Sequence, residues 1–96
     1  SEQAAASLEE IFDYHKEVAG LRVARKIATK ITQRTQILSD NPFAGQREEL
    51  LKDLSVEFRY LVEGNYKILY YTLSEKIVIS LVFDCRQNPE KMRDIK

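Results

Sequence analysis

Three cations stand where a β-sheet would present them: Arg59, Lys67 and Arg86. Arg59 lies inside the aromatic run EFRYLVEG and Lys67 opens YKILYYTL. Arg86 follows the apolar run IVISLVF in the cluster Asp84-Cys85-Arg86-Gln87-Asn88, which Pro89 stops because proline has no N–H to extend a ladder. This donor-rich set suits phosphate, a carboxylate or a partner protein. Counting back from the Ser74-Glu75-Lys76 turn puts Lys67 within a residue or two of pairing with Asp84. Arg86 should therefore project from the same end of the sheet as Lys67. Asp84, Glu57 and Glu63 are the acids that would neutralise these cations by plain ion pairing.

The other reactive side chains have blander readings. His15 falls on the apolar face of a helical segment with no acid or nucleophile spaced to partner it, which makes it a structural, partly buried histidine. Cys85 has neither a histidine nor a second cysteine beside it, so it reads as an inert thiol. One thiol and one histidine also exclude most Cys/His metal sites. No P-loop, dinucleotide fingerprint or metalloprotease helix occurs, and no cofactor or metal is expected. Tyr60, Tyr66, Tyr70 and Tyr71 fit core and cross-strand packing.

The elements that must hold these residues follow from periodicity. Leu8, Ile11, Phe12, His15, Val18 and Ala19 share one helical face, with Ser1 as a possible N-cap, Ser7 and Glu10 as a second capping box, and Gly20 as the stop. Ala24, Ile27, Ala28, Ile31, Thr35 and Leu38 mark a second helix, ended by Ser39-Asp40-Asn41-Pro42. Two helices meeting at a glycine form an antiparallel hairpin. Residues 47–54 are ambiguous between a short helical turn and a loop. From Val56 three aromatic and β-branched runs, separated by Gly64-Asn65 and Ser74-Glu75-Lys76, predict an antiparallel meander, and PEKMRDIK adds a short helical turn. The class is α+β: a helical hairpin (2–39) and connector (40–56) ahead of a meander (57–84) and tail (85–96), with the helix pair on one face of the sheet.

At 96 residues the chain is one domain with a modest core, needing no metal or disulfide to fold. A single cysteine suits a reducing cytoplasm, and the longest apolar run, residues 77–83, is far short of a membrane span. The formal net charge of zero argues against direct DNA binding, which draws on a basic excess. Charge is polarised within the chain: residues 1–20 carry Glu2, Glu9, Glu10, Asp13 and Glu17 against Lys16 alone. Residues 21–38 carry Arg22, Arg25, Lys26, Lys30 and Arg34 with no acid. The simplest reading is two neighbouring helices of complementary charge.

The order of segments (helix, helix, NPFAG, FRYLVEGNYKILYY, ISLVFDCRQNP) resembles the RelE/ParE superfamily of type II toxin–antitoxin systems. Its members show a glycine-bearing turn followed by Tyr-Arg/Lys-apolar-apolar-Tyr, matched here by Asn65-Tyr66-Lys67-Ile68-Leu69-Tyr70. They end the last strand with a motif like His-Gly-Arg-Arg-Asp-Pro, matched by Asp84-Cys85-Arg86-Gln87-Asn88-Pro89. LEEIFDY and LSDNPFAGQREEL also look like the family, so the resemblance spans almost the whole chain. It implies a further strand before the first helix that this sequence lacks. The expected sheet then has three strands, or four with that strand. Its uncovered edge would invite pairing with another chain, a second copy included.

The family's ribosome-dependent mRNA nucleases resemble basic proteins with extra lysines on the first meander strand and a late Tyr or His. Here Phe58 and Tyr60 hold those strand positions, and the tail offers only Lys91, Met92 and Arg93. Cleavage through a 2′-hydroxyl needs a base and an acid, each worth ~10²–10⁴-fold, and cations for the developing charge. Lys67 and Arg86 supply charge, but no acid or base stands beside them. The resemblance thus implies the ParE-like branch: a toxin, not an enzyme, that inhibits DNA gyrase and is neutralised by a cognate antitoxin. The partner-contacting residues would be Arg59, Lys67, Arg86, Gln87 and Asn88, with Phe43, Leu50 and Leu54 in an apolar patch for an amphipathic antitoxin segment. In the alternative, a RelE-like nuclease, Arg59, Lys67 and Arg86 form a phosphate site and must lie unpaired on one concave face. A degenerate toxin that only binds its antitoxin is the third reading.

Overall fold

The computed structural model describes residues 1–95. Helix α1 (Glu2–Ala19) starts at Ser1, whose hydroxyl accepts the Ala4 N–H at 3.1 Å. Gly20 ends it with φ 94°, a conformation that side-chain-bearing residues avoid, and α2 (Leu21–Arg34) turns back alongside α1. The second helix stops sooner than its periodicity predicts, giving way to a 3₁₀ turn over Thr35–Ser39. There the hydroxyls of Thr35 and Ser39 donate to the carbonyls of Thr32 and Gln36, competing with α-helical bonding. Val18, assigned by spacing to the buried face, is 60 % exposed. His15 already meets Tyr66, the first residue of its strand, so the last turn of α1 runs past the end of the sheet.

The sheet has four antiparallel strands in the order β1 (Gln46–Arg47), β2 (Arg59–Glu63), β3 (Tyr66–Leu73) and β4 (Lys76–Asp84). The fourth strand therefore comes from the connector, not from ahead of the first helix. Two residues pairing Gln46 with Tyr60 and Arg47 with Arg59 are too few to leave an alternating pattern. The β3–β4 turn places Ser74 and Glu75 at φ 49° and 65°, the left-handed geometry that a two-residue hairpin needs. Between Leu69 and Tyr70 the register slips past Ser80, so Lys67 faces Phe83 and Tyr66 faces Asp84.

Alternation along the strands gives the sheet two apolar faces. Leu61, Tyr66, Ile68, Tyr70 and Val82 pack under the hairpin with Ile11, Ile31 and Leu38. Phe58, Leu69 and Phe83 form a second cluster with Leu51 and Met92. Two 3₁₀ turns, Glu49–Leu51 and Pro89–Asp94, supply those last two residues and so cover the face opposite the helices. The tail is clamped by Arg93, whose guanidinium donates to both Asp53 oxygens at 2.9 and 2.7 Å and to the Leu50 carbonyl at 3.0 Å. The outer edge of β4 is partly occupied by the start of α1. There Ser1 donates to Ile79 and Ser80 carbonyls and the Ser7 hydroxyl accepts the Val82 N–H.

Candidate functional site

The three cations do not converge. Arg59 falls between Phe58 and Tyr60, which face the tail-side cluster, so its own side chain projects to the helix side. There it binds the Gly45 carbonyl at 2.8 Å, pairs with Glu57 at 2.8 Å and lies 5.1 Å from the centre of the Phe43 ring. Lys67, between Tyr66 and Ile68, projects to the opposite face. Its ammonium sits 2.7 Å from Glu48 Oε2 and 4.2 Å from the centre of the Tyr60 ring. Arg86 lies past the end of β4, with Nε and Nη2 donating to the two Asp84 oxygens at 3.0 and 2.8 Å.

Each cation is thus held by an acid of its own chain. Glu57 and Asp84 were foreseeable as those acids; Glu63 pairs with none of the three, and Glu48 was not singled out. Glu48 is only 5 % exposed, yet it sits in an irregular acidic stretch with no periodicity to mark it as buried. The Arg86 guanidinium holds the Asp84 carboxyl below its ordinary range, and Asp84 in turn raises the Arg86 pKa. Burial pushes the Cys85 thiol upward, so at neutral pH it is the protonated, poorly nucleophilic form.

The strand-end motif builds the tail. Asn88 accepts the Glu90 N–H and caps the last 3₁₀ turn, while the Gln87 N–H donates to the Asp84 carbonyl. Both side chains remain exposed. His15 shares a 2.7 Å hydrogen bond with the Tyr66 hydroxyl and ties α1 to the sheet, as a structural histidine would. Tyr70 is fully buried and its hydroxyl accepts the Gly45 N–H at 2.9 Å.

The apolar candidates separate into two places. Phe43, 64 % exposed, borders a hollow of about 310 Å³ with Pro42, Thr72, Glu75 and Ile77. Leu54 lines hollows on the tail side with Phe58, Tyr71 and Ile95, and Leu50 lies beside the Arg93 clamp. Among the described residues no group of three His, Cys, Asp or Glu side chains is placed to hold a metal ion, and no helix is long and apolar enough to cross a membrane.

Comparisons with known proteins agree with this architecture. A sequence model described as "ParE toxin of type II toxin-antitoxin system, parDE" matches residues 1–89. A solved structure titled "Chromosomal ParDE TA system from P. aeruginosa" superposes with a TM-score of 0.72 at 19 % identity, covering 88 % of this chain and 89 % of that one. At that identity it speaks for the fold alone. No curated protein sequence matches.

Proposed function

This chain belongs to the ParE toxin family of type II toxin–antitoxin systems, and from that premise we propose that it acts by binding protein, inhibiting DNA gyrase until a cognate antitoxin neutralises it. The reading rests chiefly on the pairing of Arg59 with Glu57, Lys67 with Glu48 and Arg86 with Asp84. An RNA-cleaving site needs cations free to take up phosphorane charge, and near neutral pH these three are committed elsewhere. The placement of Arg59 and Lys67 on opposite faces of the sheet, with Arg86 past the end of β4, likewise supports binding over catalysis, since the three do not converge on one phosphate. Phe43, Leu50 and Leu54, together with the exposed Gln87 amide and the amide nitrogen of Asn88, whose oxygen is already taken by the Glu90 N–H, are the candidates for partner contact. An exposed thiol with no second cysteine suits action in the cytoplasm.

The test is DNA supercoiling and cleavage-complex formation by gyrase with the purified protein, with and without the antitoxin. Inhibition relieved by antitoxin is the expected result. Absence of inhibition together with codon-dependent mRNA cleavage on ribosomes, abolished by Arg86→Ala, overturns it in favour of the nuclease reading. Silence in both assays marks a toxin that keeps only its antitoxin contact, and overturns it too.

A further inference from the structure

The two helices carry opposite charge in rows of the same spacing. On α1, Glu9, Asp13 and Glu17 recur every four residues with Glu10 in the adjoining row; on α2, Arg22, Lys26 and Lys30 do the same with Arg25 beside them. All eight side chains are exposed. Because the helices fold back at Gly20, Glu17 stands level with Arg22, Asp13 with Lys26 and Glu10 with Lys30. Yet among the described residues no ion pair joins α1 to α2; those present lie on the sheet, its connector and the tail. The helices meet through the residues they bury, Ala24 among them at 0 % exposure, and the charged rows face solvent.

Nothing in the toxin reading uses these rows, and few partners match both. A nucleic acid laid on the basic row would set its phosphates within about 8–10 Å of the acidic one, the distance between packed helices. An acidic peptide satisfies half the surface. A second copy satisfies all of it. Rotation about a twofold axis parallel to the helices places α1 over α2 of the partner subunit and preserves level. Glu17 then meets Arg22 of the partner subunit, Asp13 meets Lys26 of the partner subunit and Glu10 meets Lys30 of the partner subunit, each twice. A twofold perpendicular to the helices within that face would set acid on acid. We propose that the outer face of the α1–α2 hairpin is a self-complementary docking surface for a second copy of this chain.

Exposed ion pairs are individually weak and screened by salt, so the association must be weak and steeply dependent on ionic strength. Sedimentation velocity on the whole chain tests it. At about 20 mM salt and about 100 μM protein the wild type should sediment as a dimer, and at about 500 mM as a monomer. The triple variants Glu10→Lys/Asp13→Lys/Glu17→Lys and Arg22→Glu/Lys26→Glu/Lys30→Glu should each be monomeric alone. Mixed at low salt, they should form a one-to-one heterodimer, since one then carries a predominantly basic face, with only Glu9 acidic, and the other a predominantly acidic one, with only Arg25 basic. Circular dichroism confirms folding first; if either triple variant fails it, Asp13→Lys and Lys26→Asp carry the same mixing test. A wild type that stays monomeric at low salt, a dimer indifferent to salt or to charge reversal, or failure of the folded variants to associate overturns the proposal.

Discussion

Replacing Lys67 by methionine separates a structural cation from a ligand-binding one. In the wild type the Lys67 ammonium sits 2.7 Å from Glu48 Oε2, and Glu48 is 5 % exposed. Methionine keeps most of the side-chain volume over Tyr60 but leaves that carboxylate with only a long contact, 3.4 Å, from the Leu50 N–H. Removing one partner of a fully buried pair costs about 3–5 kcal/mol. The Lys67 side chain is itself 23 % exposed, so water can reach the vacated position, and we place the loss at about 2–3 kcal/mol. In a domain of this size that is roughly a 10–20 °C fall in Tm. Urea denaturation of wild type, Lys67→Met, Glu48→Gln and the double variant closes the cycle. The double variant should be less destabilised than Lys67→Met, because the charge left unpaired is gone. Gyrase inhibition by Lys67→Met, corrected for the folded fraction, should be unchanged. A Lys67→Met protein within about 0.5 kcal/mol of wild type, with no coupling to Glu48, would refute the reasoning and return Lys67 to the ligand-binding candidates.

Three further outcomes are expected. Gly45→Ala brings a Cβ to 2.7 Å from the Tyr60 carbonyl and the buried Tyr70 ring and hydroxyl, and should cost about 2–4 kcal/mol in urea melts through overpacking and loss of the Gly45–Tyr70 hydrogen bond. Asp84 is lowered by Arg86, so its stabilisation is complete above the unfolded value of about 3.9 and lost as pH falls through the folded value; acid titration followed by circular dichroism should lose stability below about pH 4, and Asp84→Asn should flatten that loss. Iodoacetamide should alkylate Cys85 slowly at pH 7.5 despite its exposure, with the rate still rising beyond pH 9.0, the thiol's reference value.

What could be read from the sequence was whatever repeats. The hairpin, its stop at Gly20 and the three-strand meander come from periods of 3.6 and 2 and from turn residues, and these the fold contains. Counting from the turn put Lys67 within a residue or two of Asp84, and it pairs with Phe83; without the slip at Ser80, which no local pattern announces, it would face Val82. Strand β1 and the 3₁₀ turn Glu49–Leu51 are too short to show a period, so the connector stayed ambiguous. At the site, the cations were visible by type, but the face each occupies depends on alternation within β2 and β3 counted from their true ends. Glu48 was missed because its burial is made by the tail-side layer, whose Leu51 and Met92 come from segments some forty residues apart. The Arg93–Asp53 clamp was hidden for the same reason.

The seating of α1 on β4 also bears on the order in which the chain can fold. The hydroxyls of Ser1 and Ser7 reach groups 79 and 75 residues away. Contacts so distant in sequence form late, since closing the long loop must precede any gain from it. On a ribosome, which delivers the chain from its first residue, the hairpin can coil while β4 is still unmade, but its sheet-facing side has nothing to dock against. Docking of the hairpin is therefore gated by the last strand: until β4 has emerged, the sheet-facing side of α1 has no edge to seat on.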